Sequence, residues 1–599
     1  MQNSSFQYNV LPTARSIRLV RIHGSDRDSD DIYCTIETHP LDSHPPYAAL
    51  SYTWGSQKSK KIIHCNNDSV LLVTQNLWRA LRRLKPQLGD DRTLWIDAIC
   101  INQEDLRERS AQVQLMRDIF QSAERVLIWI GEEQDHSAGA FELARRLAQL
   151  STTQAQEASK DLASAGLPPR GASEWKSLEA LYHRKLFSRV WCIQEIAVAS
   201  KATIICGGIE VPWEHLIGSA NMLDSFKLFY QTGIADRGFL GLGEPRLRSM
   251  SVTLQDILQF AWSWEATDPR DKIYALLGLA SDRAASKIVP DYTSSVAELY
   301  KRVAIYHLQK YGLEFLELAG DTSLRRVDGL PSWCPDWSNS TWYNIGKYES
   351  SVRYYANQPA GADTRMTINF SQENNILRVR GKIIDKIKTA SVQKYERPSD
   401  ITLVTIPIIT NVLRSLARRI RWLRWQVWEK TALNLKTYPT GEDLLSLYGQ
   451  VLVAGSQEHR VQFNRLMNDS PRPLSELANT DKSDWFYSCF RRHELNIYEA
   501  ERDIDEPKRA TETLAACLYA DEVENWSENR RLITTEGGYL GMAPLTARAS
   551  DRICLLAGTN SQFLLRGKKG KYRFIGACYI HGVQTDSVST DEMSEICIV

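Results

Sequence analysis

A single carboxylate in an otherwise apolar segment is the strongest chemical signal in this sequence. Residues 187–200 read FSRVWCIQEIAVAS, and Glu195 is the acid within them. At helical spacing Trp191, Glu195 and Val198 share one face, so we expect Glu195 to point where Trp191 points. Removing a carboxylate from water is unfavourable unless the group has a partner or a task. Such a carboxylate can stabilise a positive charge that develops on a substrate, and apolar surroundings strengthen that interaction.

An acid in this position also has a purely structural interpretation. Arg189 and Arg184 lie close by in the sequence, and a buried ion pair with either of them would equally explain Glu195. A thiol nucleophile at Cys192 is disfavoured, because no histidine lies nearby in the sequence to activate it. The histidines show no ligand-like spacing, so we expect no metal site.

Alternating apolar strands and amphipathic helices must position these residues. The predicted strands are residues 46–54, 92–101, 125–131 and 201–208. Helical patterns lie between them, among them 76–85 and 104–123, and residues 61–76 indicate a hairpin. This alternation predicts an α/β fold in which helices cover both faces of a parallel sheet. Ligands bind outside the carboxyl ends of such strands, and Trp54, Gly55 and Asp97 lie there.

The pattern predicts four regions along the chain. They are an α/β domain at 1–215, a mainly helical region at 216–345, a mixed region of strands and helices at 346–500, and a small closed β-rich domain at 501–599. Residues 414–430, RSLARRIRWLRWQVWEK, predict a basic helix rich in tryptophan. Such a helix can lie on an anionic membrane, bind nucleic acid, or pack inside its domain. With the apolar stretch 401–413 before it, peripheral membrane contact through 401–430 remains open.

Composition is typical of a globular protein. The chain has 599 residues, of which 43% are hydrophobic and 24% charged, and this length predicts several domains. The net charge of +1 provides no general attraction to polyanions, so we expect no nucleic-acid partner. The N-terminus lacks the apolar core of a signal peptide, and eleven cysteines without a CxxC pair fit a reducing compartment. We therefore expect a cytoplasmic protein.

Three blocks of sequence occur together in the first part of the chain. They are ALSYTWG (49–55), LWIDAICINQEDLRERSAQVQLMRDIFQSAERVLIWIG (94–131) and FSRVWCIQEI (187–196). The segments DPRDKIYALLGL and LPSWCPDWS follow downstream. With these blocks the chain resembles the fungal heterokaryon incompatibility (HET) domain proteins. The resemblance implies a role in non-self recognition and regulated cell death.

More remotely, the same blocks resemble a TIR domain. ALSYTWG takes the place of the first TIR strand with its Ser-Tyr ending, and LWID takes the place of the second strand with its terminal acid. SRVWCIQEI is similar to the TIR element in which Trp and Cys precede a Glu. The resemblance implies a TIR-like, flavodoxin-like sheet, and it implies that Glu195 cleaves the nicotinamide–ribose bond of NAD. The long connection between Gly131 and Trp191 and the hairpin at 61–76 depart from a TIR domain.

A single carboxylate suits that reaction. Cleavage generates positive charge on the ribose, and nicotinamide leaves as a neutral molecule, so no acid is required. We expect the nucleotide to contact Tyr52, Trp54, Gly55, Asp97 and Trp191. The indoles would stack, the acid would hold a ribose hydroxyl, and the loop 55–61 would hold the diphosphate. The structural alternatives are core aromatics, a turn-capping acid and a solvated loop. NAD would be the substrate, and we expect no cofactor.

These inferences together predict a HET effector with NAD glycohydrolase activity. Assembly or release from the downstream domains would trigger it, and the expected protein partner is a second copy of the chain or an incompatibility partner protein. A different class of function is a non-catalytic signalling module that recruits a separate death effector. A third is direct action on membranes through residues 401–430.

Overall fold

Two folded units, each with its own sheet, make up the chain. The computed structural model describes residues 4–24, 30–66, 69–226, 251–282, 287–320, 325–339, 369–371, 375–391, 425–454, 529–568, 570–583 and 592–599, with single residues between 228 and 242 and between 487 and 527. The units are Met1–Leu299 and Tyr300–Val599.

The first unit is built on a mixed ten-stranded sheet. Its strands are β1 (Ser4–Ser5), β2 (Ser16–His23), β3 (Tyr33–Pro40), β4 (Ala48–Tyr52), β5 (Lys60–Cys65), β6 (Ser69–Thr74), β7 (Asp91–Trp95), β8 (Arg125–Trp129), β9 (Ala202–Cys206) and β10 (Ile209–Pro212). Across the sheet they lie in the order β1-β6-β5-β3-β2-β7-β4-β8-β9-β10. The predicted α/β fold is confirmed, but the sheet is mixed and not wholly parallel, since β2 pairs antiparallel with β3 and β7, β5 with β6, and β9 with β10.

Helices alternate with these strands. Those described in the first unit are α1 (Gln75–Leu84), α2 (Asp97–Cys100), α3 (Leu106–Ser122), α4 (Ser137–Ala148), α5 (Thr152–Lys160), α6 (Ser173–Tyr182), α7 (Val190–Ala197), α8 (Trp213–Ser225), α9 (Leu254–Phe260) and α10 (Asp271–Leu277). Side chains that accept backbone N–H groups start several of them: Thr74 caps α1 and Asp105 caps α3. Helix α7 is the apolar segment that contains Glu195, and it has the predicted helical form.

The centre of this sheet is parallel. Strand β4 pairs in parallel with β7 on one side and β8 on the other, and β8 pairs in parallel with β9. Strands β4 and β8 are almost wholly buried, as their continuous apolar runs predict. Counted along the chain, these four strands lie in the spatial order second, first, third, fourth. The winding direction therefore reverses between β4 and β8, and ligands of open α/β sheets bind beside such a reversal.

Strands outside this centre were only partly predicted. The hairpin at 61–76 is present as β5 and β6. Strands β2 and β3, which pair antiparallel, are absent from the sequence prediction. The strand predicted at 92–101 is wrong in its second half, because β7 ends at Trp95 and α2 begins at Asp97. The Asp97 carboxylate accepts the N–H of Ala98, and this bond starts the helical turn.

The second unit contains the C-terminal β-rich domain. Its elements are α11 (Val296–Tyr311), which includes the boundary between the units, β11 (Asn369–Ser371), β12 (Ile376–Ala390), α12 (Leu444–Leu452), β13 (Arg530–Thr535), β14 (Leu540–Pro544), β15 (Arg552–Leu556), β16 (Gln562–Lys568), β17 (Lys571–Ile580) and β18 (Ser594–Ile598).

One long strand closes this sheet into a barrel. Strand β12 pairs with β15 through residues 381–386 and with β13 through 387–390, and irregular pairing at Ile383 and Ile387 bends it from one partner to the other. The ring β12-β13-β14-β17-β16-β15 then returns to β12. Apolar side chains such as Ile553 and Leu564 fill its core. The small closed β unit predicted at 501–599 therefore takes one of its strands from outside that range.

Only the end of the tryptophan-rich segment lies within the described residues. Residues 401–424 lie outside them, so peripheral membrane contact stays a prediction. Residues 425–430 are helical, and Trp425 and Trp428 are buried. The hydroxyl of Tyr448 in α12 donates to the Trp425 carbonyl over 2.7 Å. This end of the segment packs inside its unit.

Candidate functional site

Side chains from β4, β7 and α7 meet at the carboxyl end of the parallel strands. Ser51 and Tyr52 end β4, Asp97 follows β7, Arg189 is the N-cap of α7, and Glu195 lies inside that helix. The Ser51 hydroxyl donates to Glu195 Oε2 over 2.5 Å. We call these five residues the carboxylate cluster. It lies on β4, the strand at which the winding of the sheet reverses.

Glu195 is the most deeply buried acid of the cluster. Only 6% of it is exposed. The pKa of its carboxyl is raised from 4.5 to about 7. Burial is the main cause and the nearby Asp97 adds to it, while the charge of Arg189 and the hydrogen bond from Ser51 act in the opposite direction. Near neutral pH Glu195 therefore exchanges a proton readily, and its ionised form is held by one hydroxyl and one nearby cation.

The two arginines considered as ion-pair partners behave differently. Arg184 is directed away from Glu195, since its guanidinium donates to the carbonyl of Glu132 over 3.1 Å and to the hydroxyl of Ser137 over 2.9 Å. Arg189 donates to the carbonyl of Tyr52. The positive charge of Arg189 lowers the pKa of Glu195. The Arg189 guanidinium itself donates its hydrogen bond to the end of β4.

Asp97 is held in place by two donors. Trp54 Nε1 donates to its Oδ2 over 2.7 Å, and the N–H of Ala98 donates to its Oδ1 over 2.7 Å. Burial raises the pKa of this carboxyl above its usual value, and the charge of Arg189 opposes that rise. Trp54 is half-buried, so its indole faces the rim of the sheet and fixes Asp97 there. The capping interpretation of Asp97 and its place in the cluster are both compatible with this geometry.

The Tyr52 hydroxyl is buried without a hydrogen-bond partner of normal geometry among the described residues. Burial raises its pKa well above 10, and the Asp97 and Glu195 charges act in the same direction. A buried polar atom that lacks a partner is destabilising by about 1 to 3 kcal/mol. The hydroxyl thus lies near the Asp97 carboxyl without forming a hydrogen bond of normal geometry to it.

The loop after β4 is also bonded to the start of α1. Asn76 donates to the Thr53 carbonyl over 2.6 Å and accepts from Trp129 Nε1 over 3.1 Å. Gly55 follows with a φ of +73°, which a side chain would strain, and a Cβ there would lie 3.1 Å from the Asn76 Cβ. Residues 55–61 are exposed. This geometry leaves the loop open to solvent, as expected either for a diphosphate-binding loop or for a plain connection.

Trp191 and Cys192 do not join the carboxylate cluster. The Trp191 indole hydrogen-bonds towards the Asp271 carboxyl on α10, where it opposes the rise in pKa that burial causes. Cys192 is fully buried, and burial raises the pKa of its thiol well above 9. The thiol stays protonated, so the sequence argument against a cysteine nucleophile holds on physical grounds.

Sequence reasoning singled out Glu195, Tyr52 and Asp97 but missed Ser51 and the role of Arg189. The Ser-Tyr pair at the end of an apolar strand was the available signal for Ser51, because a polar residue among buried ones requires a partner. Among the described residues there is no group of three potential metal ligands. None of the described helices combines the length and apolar character needed to cross a bilayer.

Comparison with known proteins finds one matching domain family in each unit. The profile described as heterokaryon incompatibility protein (HET) matches residues 47–195, from the start of β4 to Glu195 itself. The first unit therefore carries a HET domain. The Het-6 β-barrel domain profile matches residues 493–597, which include β13 to β17 and most of β18.

A full-length relative supports this assignment. Heterokaryon incompatibility protein 6, OR allele, of Neurospora crassa is 25% identical over 97% of this chain and 96% of its own length. No solved structure gives a significant match. The first matched range contains all five residues of the carboxylate cluster, and the second contains most strands of the closed barrel but not β12.

Proposed function

We propose that this HET protein is an effector of fungal non-self recognition and cell death that acts as an NAD glycohydrolase. The proposal is supported above all by the carboxylate cluster at the strand ends, with Glu195 as its central acid. The similarity to heterokaryon incompatibility protein 6 of Neurospora crassa supports the biological role.

A TIR-like architecture is part of this proposal. Its support is the strand order of the parallel centre, since the order second, first, third, fourth is that of flavodoxin-like sheets. In this interpretation β4 and β7 are the first two TIR strands, and α7 presents the catalytic acid at the reversal point. Strands β2 and β3 and the β5–β6 hairpin are additions on the side of β7.

The chemistry requires little more than the cluster provides. When the nicotinamide–ribose bond breaks, positive charge develops on the ribose, and an ionised Glu195 beside it stabilises that charge. Burial strengthens the interaction because few waters screen it. The Tyr52 hydroxyl and the Asp97 carboxyl are suited to hold ribose hydroxyls. Trp54, which is half-buried, and Gly55, which is exposed, follow the end of β4 and would line the entrance for a nucleotide.

The burial of Glu195 requires an activating step. With 6% of the residue exposed, a nucleotide sugar reaches the carboxylate only after its cover moves. We propose that assembly or contact with an incompatibility partner provides this opening. We also propose a cytoplasmic location, because the nine described cysteines are all free thiols.

The decisive experiment measures nicotinamide release. The full-length protein is incubated with NAD alone, at high concentration to favour self-association, and in extracts of cells undergoing incompatibility. We expect release only under the activating conditions. A form that kills cells yet releases no nicotinamide would contradict the proposed activity.

The burial of Glu195 also favours a second candidate function. If Glu195 remains covered by Ser51 and the end of β4, the domain can serve as a non-catalytic module that recruits a separate effector. Cell death that persists in the Glu195→Gln protein would support this alternative.

The raised pKa of Glu195 predicts a pH dependence for NAD cleavage. The ionised form stabilises the cation, and with a pKa of about 7 it grows from a small fraction at pH 6 to the main form at pH 8. We expect the rate to rise about tenfold over this range and then level off, as for one ionisation. The rate is measured as nicotinamide release by the activated protein, with the variant Glu132→Gln, an exposed acid outside the cluster, as control. A flat profile between pH 6 and 8 would exclude Glu195 as the titrating group.

A further inference from the structure

A buried lysine organises the turn that follows α9. Only 4% of Lys272, on α10, is exposed, and its Nζ donates to the carbonyls of Ala261, Trp262 and Trp264 over 3.2, 2.6 and 2.6 Å. The last carbonyls of a helix lack partners within the helix. One ammonium therefore fixes three carbonyls at the end of α9 and in the turn after it, although burial lowers its pKa to about 7.

This turn is tied directly to the start of α7. Glu265, the next residue, donates its N–H to the Ser188 carbonyl over 2.5 Å, and its own carbonyl accepts the N–H of Val190 over 2.9 Å. The two bonds enclose Arg189 from both sides, as one rung of parallel strand pairing does. The Arg189 guanidinium then reaches the Tyr52 carbonyl inside the carboxylate cluster.

A second set of contacts joins α10 to α7. Gln194, beside Glu195, is buried, and a Cβ at Gly278 would lie 2.3 Å from its Oε1. One turn earlier on α7, the Trp191 indole faces Asp271. The Tyr292 hydroxyl donates to Asp271 as well. The segment DPRDKIYALLGL thus packs on the helix that carries the candidate catalytic acid.

We propose that Lys272 is a positioning residue that holds Arg189 and Glu195 in place, and that the functional unit of the HET domain extends beyond the matched range 47–195 to at least Leu279. The effect of Lys272 on NAD cleavage can be measured only if the glycohydrolase activity proposed above exists. The effect of Lys272 on amide hydrogen exchange can be measured without it. Lys272 acts through the backbone of Glu265 and touches no member of the cluster.

The test compares Lys272→Met with Lys176→Met, an exposed lysine on α6. Methionine retains the length of the side chain and removes its donors. In the full-length protein we expect amide hydrogen exchange at Val190 and Glu265 to become at least about tenfold faster, because the turn loses its anchor. We also expect the pH midpoint of NAD cleavage to move above that of the wild type, because a loosened Arg189 lowers the pKa of Glu195 less. Lys176→Met should change neither quantity.

The outcomes separate this inference from the proposed function. If the wild type never cleaves NAD, the activity proposal fails, and faster exchange at the two amides still supports the positioning role. The inference would be overturned if amide exchange at Val190 and Glu265 were the same in Lys272→Met as in the wild type. It would also be overturned if the variant lowered only the folded fraction and left the pH midpoint of NAD cleavage unchanged. Should Lys272→Met not fold, Lys272→Gln, which keeps two N–H donors, is measured instead. Exchange faster than in the wild type then supports the role, and wild-type exchange rejects it.

Discussion

Replacing Glu195 by glutamine is expected to reduce NAD cleavage by at least about 100-fold, which corresponds to about 3 kcal/mol of barrier. Glutamine keeps the shape of the side chain and can still accept the hydrogen bond from Ser51. It lacks the negative charge that stabilises a ribose cation. Nicotinamide release by the activated protein measures the loss, with Glu132→Gln as the matched control because that acid is exposed and outside the cluster.

The same substitution is expected to stabilise the protein at pH 8. The pKa of Glu195 is raised in the folded state to about 7 from 4.5. A raised pKa means that the folded state binds the proton more tightly than the unfolded state, so stability falls as pH rises from 4.5 to 7 and is constant above. The loss amounts to about 3 kcal/mol, which a neutral glutamine avoids.

Unfolding measurements at two pH values test this expectation. The free energy of unfolding of Glu195→Gln should exceed that of the wild type at pH 8, and the difference should shrink as pH approaches 4.5. If Glu195→Gln is more stable than the wild type but no longer cleaves NAD, the carboxylate destabilises the fold and is needed for activity. If the variant is instead less stable at pH 8, the acid is structural, and the non-catalytic module becomes the better proposal.

The parts of the fold that sequence could predict are those whose signals are local. Strands β4 and β8 are short apolar runs buried on both faces, and such runs are visible in the sequence alone. Strand β2 was missed because a charged residue, Arg18, interrupts its apolar pattern. Arg18 is nevertheless buried, because it forms an ion pair with Glu108 on α3. That partner lies far along the chain, so the sequence around Arg18 gives no sign of it.

The candidate site shows the same limit. Glu195 could be singled out from its apolar neighbours, but its hydrogen-bond donor Ser51 is 144 positions away in the chain. Trp191 and Glu195 were expected to point the same way, yet Trp191 reaches Asp271 and Glu195 reaches β4. Helix α7 packs against both the strand end and α10, so residues one turn apart find different partners. Helical spacing predicts a shared face and cannot predict which element covers each part of it.

Replacing Arg18 by methionine is expected to destabilise the first unit by about 3 to 5 kcal/mol, the usual effect of leaving one member of a buried ion pair alone. The side chains of Arg18 and Glu108 are 3% and 10% exposed, and Arg18 Nη1 lies 2.6 Å from Glu108 Oε1. Arg18 also donates to the Cys100 carbonyl over 3.0 Å. Glu108 in turn accepts the N–H of Asn102 over 2.7 Å. Together these bonds hold the turn that begins at Asp97.

Two further variants make the measurement specific. Arg15→Met removes an exposed arginine that pairs with Asp42 and Asp118, and we expect a much smaller loss of stability than for Arg18→Met because water screens these pairs. The double variant Arg18→Met with Glu108→Gln should recover part of the lost stability, because it removes the unpaired buried charge and keeps an acceptor for Asn102. Denaturant unfolding of the full chain gives the free energy of unfolding of all three variants. Equal losses for Arg18→Met and Arg15→Met would show that burial does not strengthen the Arg18–Glu108 pair.

The turn after Asp97 depends on the Arg18–Glu108 pair. The folded Arg18→Met protein should therefore also lose NAD cleavage, which would link this ion pair to the carboxylate cluster.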